Sequence, residues 1–207
     1  MDTSMSYIKY IFLILISIII YGCAQEIQRD NSTGEGEPGT ETQQRDTSTS
    51  EAEISRYKSA ISHISSNNLD KAEKILLEFT QQRPELAGPW ANLGLIKLKQ
   101  NEFDSAEKFL NTALKKNPDL AQALNLMATI RIHQGKINMA EQLYKKSIAL
   151  KPGYPLAHYN LALLYDIYLQ NIPEAISHYS TYLELSKEND TSTRDWVEQL
   201  KSYQNNG

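Results

Sequence analysis

The side chains of this 207-residue sequence that are able to do chemistry are four histidines, one cysteine and a scatter of carboxylates. His63, His133, His158 and His178 are far apart, and no HExxH spacing sets two imidazoles on one helical face for a metal. There is no CxxC pair for thiol chemistry and no Gly-x-Ser-x-Gly elbow for acyl transfer, so neither a nucleophile nor a metal has its constellation. His158 and Asp166 come nearest to an acid–base pair, because eight residues apart on one helix they share a face. Two packing or solvated residues are the simpler account of them. The Gly34–Gly39 stretch GEGEPG has no strand before it and no helix-opening pattern after it, which excludes a phosphate loop. The formal net charge of −4 and the lack of a basic face speak against nucleic acid. No catalytic residue, metal or cofactor is expected.

The elements that would position such residues fall into two regimes. Residues 1–22 hold Lys9 and then the apolar run Ile11–Ile20, broken only by Ser17. A spanning helix needs about 20 apolar residues, so this run suits a signal peptide better. Cys23 follows directly, in the order Ile20-Tyr21-Gly22-Cys23. That context resembles the lipobox of bacterial lipoproteins. The resemblance implies cleavage before Cys23 and lipidation of its sulfur, with acyl chains that each contribute about 0.8 kcal/mol per buried methylene. Ala24 rather than Asp after the cysteine implies the outer membrane, on the periplasmic face. The alternative is an uncleaved anchor in the inner membrane.

Residues 23–49 are rich in Gln, Glu, Ser, Thr and Gly, with Ile27 the only large apolar residue. Such a stretch cannot bury enough surface to offset the entropy of ordering, and is expected to be a disordered tether of roughly 25–30 Å mean reach. Ser50-Glu51-Ala52-Glu53 then reads as a capping box that opens a helix.

From there the chain is periodic. Pro84, Pro118 and Pro152 stand 34 residues apart, as do Ala72, Ala106 and Ala140. Residues 87–120 carry Trp90, Leu93, Gly94, Ala106, Leu110, Ala113 and Pro118, and this pattern resembles the tetratricopeptide repeat (TPR) consensus, with Lys97 and Leu110 departing from its aromatics. The expected fold is an all-α TPR solenoid of about four helix-turn-helix repeats, at residues 53–86, 87–120, 121–154 and 155–189, with a C-terminal capping helix and tail at 190–207. Gly94 and Ala106 are small where two helices would cross closely. Trp90 fills the space between repeats, and Pro118 and Pro152 end second helices. Ala140 and Ala175 take the same small place in the later repeats. Ala175 arrives one residue late, so an extra residue must lie between Tyr165 and Ile172. Ser192-Thr193-Arg194-Asp195 offers a start for the last helix, whose Trp196, Val197, Leu200 and Tyr203 form one stripe.

The resemblance also implies a peptide groove along the first helix of each repeat. It is lined by Tyr57 and Ile61, then Ala91, Asn92, Leu95 and Leu98, then Gln122, Asn125, Thr129 and Ile132, then Tyr159, Asn160, Leu163 and Asp166. The family's basic clamp for chaperone tails would need Lys or Arg where this sequence has Gln122 and Leu126, so no such clamp is expected. The partner implied is a protein or peptide with an amphipathic or extended apolar segment. Packing on the tether, or self-association, would account for the same apolar surface. The function expected is that of a membrane-anchored scaffold or assembly factor in the bacterial envelope, in pilus, secretion or cell-wall machinery. A structural spacer and an accessory subunit of an envelope enzyme are the alternatives.

Overall fold

The computed structural model describes residues 51–186 and 189–206. The signal segment, Cys23, the tether and Ser50 of the capping box lie outside the described residues. Every regular element described is helical: α1 Glu51–Ser65, α2 Leu69–Gln82, α3 Ala87–Lys99, α4 Phe103–Lys116, α5 Ala121–His133, α6 Ile137–Leu150, α7 Pro155–Leu163, a π-helical segment Leu164–Leu169, α8 Ile172–Leu185 and α9 Thr191–Asn206. The chain divides into two compact units, one up to Pro84 and one from Glu85 onward.

The pairing follows from where the apolar residues sit. α3, α5 and α7 are buried on nearly all sides, as helices without a polar face must be. Their partners bury one stripe: Ala106, Leu110 and Ala113 on α4, and Ala140, Tyr144 and Ser147 on α6. These are steps of three and four residues, the spacing of one helical face. Second helices end where proline forbids continuation: Arg83, Asn117 and Lys151, each just before a proline, leave the helical region at φ −131°, −138° and −140°.

One turn is used four times. Asn67, Asn101, Gly135 and Gln170 each take positive φ, at 59°, 60°, 71° and 52°, the left-handed residue that closes a helix. The next residue's amide then returns to a carbonyl of the first helix: Asn68 to His63, Glu102 to Lys97 and Lys136 to Arg131, each at 2.8 Å. Leu69, Phe103, Ile137 and Ile172 begin the second helices.

In the first unit α1 packs on α2, with Tyr57 edge-on to Phe79 at 5.5 Å and Arg56 paired with Glu78. In the second unit α3 packs on α4, α5 on α6, and α7 on α8. α9 lies against α8. Gly94 is the tightest point of the α3–α4 crossing: a Cβ there would stand 2.6 Å from Cγ of Leu110 and 2.8 Å from its Cδ2.

The C-terminal helix differs in two respects from its sequence pattern. Asp190, not Ser192, caps it: Oδ1 accepts the Thr193 amide at 2.9 Å and Oδ2 the Thr193 hydroxyl at 2.7 Å. Of the expected stripe Val197 and Leu200 are buried, with Thr193 beside them, while Trp196 and Tyr203 are 39% and 72% exposed.

Candidate functional site

The first helices of the second unit lie side by side and are joined by their amides. α3 touches α5, and Gln122 Nε2 donates to Asn92 Oδ1 at 3.0 Å. One repeat further on, Asn160 Nδ2 donates to Asn125 Oδ1 at 3.1 Å. All three asparagines are buried; the Asn160–Asn125 bond is dry, so that leaving it unmade would cost about 1–3 kcal/mol, while the bond from half-exposed Gln122 is part-buried. Oδ1 of Asn160 is buried without a hydrogen-bond partner.

This arrangement changes what the groove residues do. Ala91, Asn92, Leu95, Leu98, Asn125, Tyr159, Asn160 and Leu163 are buried and form a floor that joins neighbouring repeats. Gln122, Thr129, Ile132 and Asp166 stay half-exposed and are the side chains able to meet a partner. Tyr57 and Ile61 belong to the first unit, where Ile61 is buried. Consensus spacing picks out one helix face. It does not distinguish residues buried between helices from residues left open, because that depends on how closely the helices approach.

Around Asp166 the structure brings together residues that sequence spacing leaves apart. Its Oδ2 accepts from Trp196 Nε1 at 2.8 Å and from the Tyr179 hydroxyl at 3.2 Å. Burial raises the Asp166 carboxyl above its ordinary value, and these two donors pull it part of the way back. The Tyr182 hydroxyl binds Asp190 at 3.0 Å, and the Tyr159 ring lies 5.7 Å from Tyr179 and 4.9 Å from Tyr182. Burial, with the Asp190 charge nearby, pushes the Tyr159 hydroxyl up to about 12. Burial and Asp166 likewise drive Tyr179 far upward. Tyr179 and Tyr182 are neutral donors fixed on carboxylates, a network that ties α9 to the last repeat. The one hint of it in the sequence is Trp196, an indole N–H on a helix with few other large apolar residues.

His158 and Asp166 do not form a pair. The His158 ring bonds His178 and the Pro152 carbonyl, while Asp166 is engaged by Trp196 and Tyr179. Among the described residues no three His, Cys, Asp or Glu side chains cluster as a metal's ligands would, and no helix is long and apolar enough to cross a membrane. Elsewhere carboxylates brace helices against each other. Arg131 bonds Glu107 at 2.6 Å and holds its carboxyl below the usual range against a smaller effect of burial, with Gln134 adding a second bond.

Models of the tetratricopeptide repeat match residues 63–130 and 121–154. The chain carries tetratricopeptide repeats. Among solved TPR-like structures, the pilF protein of Pseudomonas aeruginosa is similar at 19% identity and a TM-score of 0.64, over 75% of this chain and 70% of that one. A thermophilic TPR protein of Thermus thermophilus is similar at 19% identity and a TM-score of 0.59, over 70% and 79%. The first TPR of Spaghetti (RPAP3), solved bound to an HSP90 peptide, is similar at 20% identity and a TM-score of 0.50, over 56% and 91%. At these identities the likeness is one of fold, an all-helical TPR solenoid. No curated protein matches the sequence.

Proposed function

We propose that this is a membrane-anchored TPR lipoprotein of the bacterial envelope that holds a protein partner as a scaffold or assembly factor, and performs no reaction itself. The observation that carries the binding half is the face formed by α3, α5 and α7, with amide-joined helices beneath and Gln122, Thr129, Ile132 and Asp166 above. TPR domains bind protein or peptide segments, and a face of mixed amide and apolar character suits an amphipathic helix or an extended apolar strand. The peptide in the RPAP3 complex, SRMEEVD, is acidic. Here the corresponding clamp positions are Gln122, whose amide is engaged with Asn92, and Leu126, which is buried. A partner gripped by its charged carboxy terminus is therefore disfavoured.

The anchoring half rests on the sequence order Ile20-Tyr21-Gly22-Cys23, with Ala24 favouring the outer membrane and its periplasmic face. Pilus, secretion and cell-wall machines are the envelope settings in which such a scaffold would serve. The test of anchoring is Cys23→Ser followed by fractionation and mass measurement of the amino terminus. Release from the membrane, with loss of an acylated terminus, is expected. A variant that stays wholly in the membrane would show the apolar run to be an uncleaved anchor.

A further inference from the structure

We propose that the His158–His178 pair is a proton-operated loosening point in the fourth repeat, closed when the pair holds at most one extra proton and opened by a second. The pair occupies a place that is apolar in the second and third repeats, whereas the first has Arg56 with Ile75 there. Counted four residues ahead of the small residue on the first helix and three past the conserved alanine on the second, the matching pairs are Trp90 with Phe109, Leu124 with Leu143, and His158 with His178. The first of these is a ring contact at 6.2 Å. In the fourth repeat two titratable rings stand at the same point between α7 and α8, with their Nδ1 atoms 3.1 Å apart.

The hydrogen bonds fix the tautomers. His158 Nε2 lies 3.0 Å from the Pro152 carbonyl, an obligate acceptor, so Nε2 carries a hydrogen. In neutral His158 the other nitrogen, Nδ1, is then an acceptor, and His178 Nδ1 must donate to it. A first added proton goes to His178 Nε2 and leaves both bonds intact. A second must sit on His158 Nδ1. It sets two N–H groups facing each other at 3.1 Å, so the bond is lost and two cations are left in contact.

The surroundings give that second charge little support. From α6, Lys145 lies 5.8 Å over the Tyr165 ring, and Glu141 is already bonded to Lys145 at 2.7 Å and to the Tyr165 hydroxyl at 2.9 Å. From the π segment, the Tyr165 ring stacks on His178 at 5.8 Å. From α8 itself only Glu174 favours a cation. Burial first, then His158, and finally Lys145 hold the His178 imidazole below its ordinary value. The fold thus already disfavours the first proton on His178, and that part of the stability declines as pH falls below about 6.5, whereas the bond between the rings is lost only with the second proton. α9 packs on α8, so loosening at the pair reaches the C-terminal helix.

Hydrogen exchange of the full-length protein in detergent, at pH 7.5 and pH 5.0 with intrinsic rates corrected, tests the proposal. Residues 155–185 should lose about tenfold of their protection at pH 5.0 relative to α4. His158→Leu with His178→Leu, the pair that the third repeat uses, should abolish that loss. Unchanged wild-type protection, or the same loss in the double variant, would overturn the proposal. Nitrogen NMR of the wild-type rings at pH 7.5 tests it independently of any variant. His158 should carry its proton on Nε2 and His178 on Nδ1, and finding both rings protonated on Nε2 would also overturn it.

Discussion

The amide of Asn171 donates to the carbonyl of Tyr165, six residues back, at 2.9 Å, whereas the equivalent bond in each of the other three repeats reaches back five. The extra residue is absorbed as the π-helical segment Leu164–Leu169, one wide turn inserted just before the shared left-handed residue. This lets Ile172 open α8 and lets Ala175 reach its buried place. Deleting Ile167 should therefore shorten the bond to the five-residue span and leave a folded protein, within about 1 kcal/mol of the parent in urea unfolding. Deleting Ile130, fully buried on a regular helix, rotates the residues after it by about 100° and should cost more than about 3 kcal/mol.

Gly94 sits against Leu110, and the magnitudes decide the sign of a substitution there. Alanine would gain about 1 kcal/mol of helix propensity. It would also press on a fully buried leucine whose branch point is 2.6 Å away, an overpacking cost of about 1–3 kcal/mol. Gly94→Ala should be destabilising by about 1 kcal/mol net. In a Leu110→Ala background the same change should turn neutral or favourable, and urea unfolding of all four proteins reads the coupling.

Asp166 and Trp196 give a prediction with a pH sign. A carboxyl raised in the folded state lends stability in its protonated form, and that stability is lost as pH rises through the folded value. Ionised Asp166 is therefore a cost at pH 7. Asp166→Asn keeps an oxygen for the indole and the Tyr179 hydroxyl, and should raise the unfolding midpoint at pH 7. The gain should fade as pH falls past the ordinary value of 3.8. Trp196→Phe should lose about 1 kcal/mol at pH 7, a modest figure for a bond to a charged group because the indole is half-exposed.

The helix-turn-helix fold was legible in the sequence because proline, small residues and apolar plugs act locally. The late arrival of Ala175 located the inserted residue within a few positions, but its form as a π turn depends on neighbouring hydrogen bonds that no pattern encodes. Consensus spacing also names candidate groove residues, but it sets only a face. Leu95 and Leu163 lie on that face yet are buried, because helix approach is a property of the assembled array. The bonds of Asp166 to Tyr179 and Trp196 span 13 and 30 residues, and composition gives no register for such contacts. Asp190 displaced Ser192 as the cap because a carboxylate one residue before the helix satisfies both the Thr193 amide and its hydroxyl.

A partner is expected to meet the half-exposed residues above the amide-joined helices. A photo-crosslinking side chain placed at Ile132, and as a control at the exposed Lys146 on α6, tests this in membranes that carry the full-length protein. A discrete adduct at Ile132, absent at Lys146 and lost when Thr129→Arg is added, is the predicted result. No adduct at Ile132, or the same adducts at both positions, would contradict it.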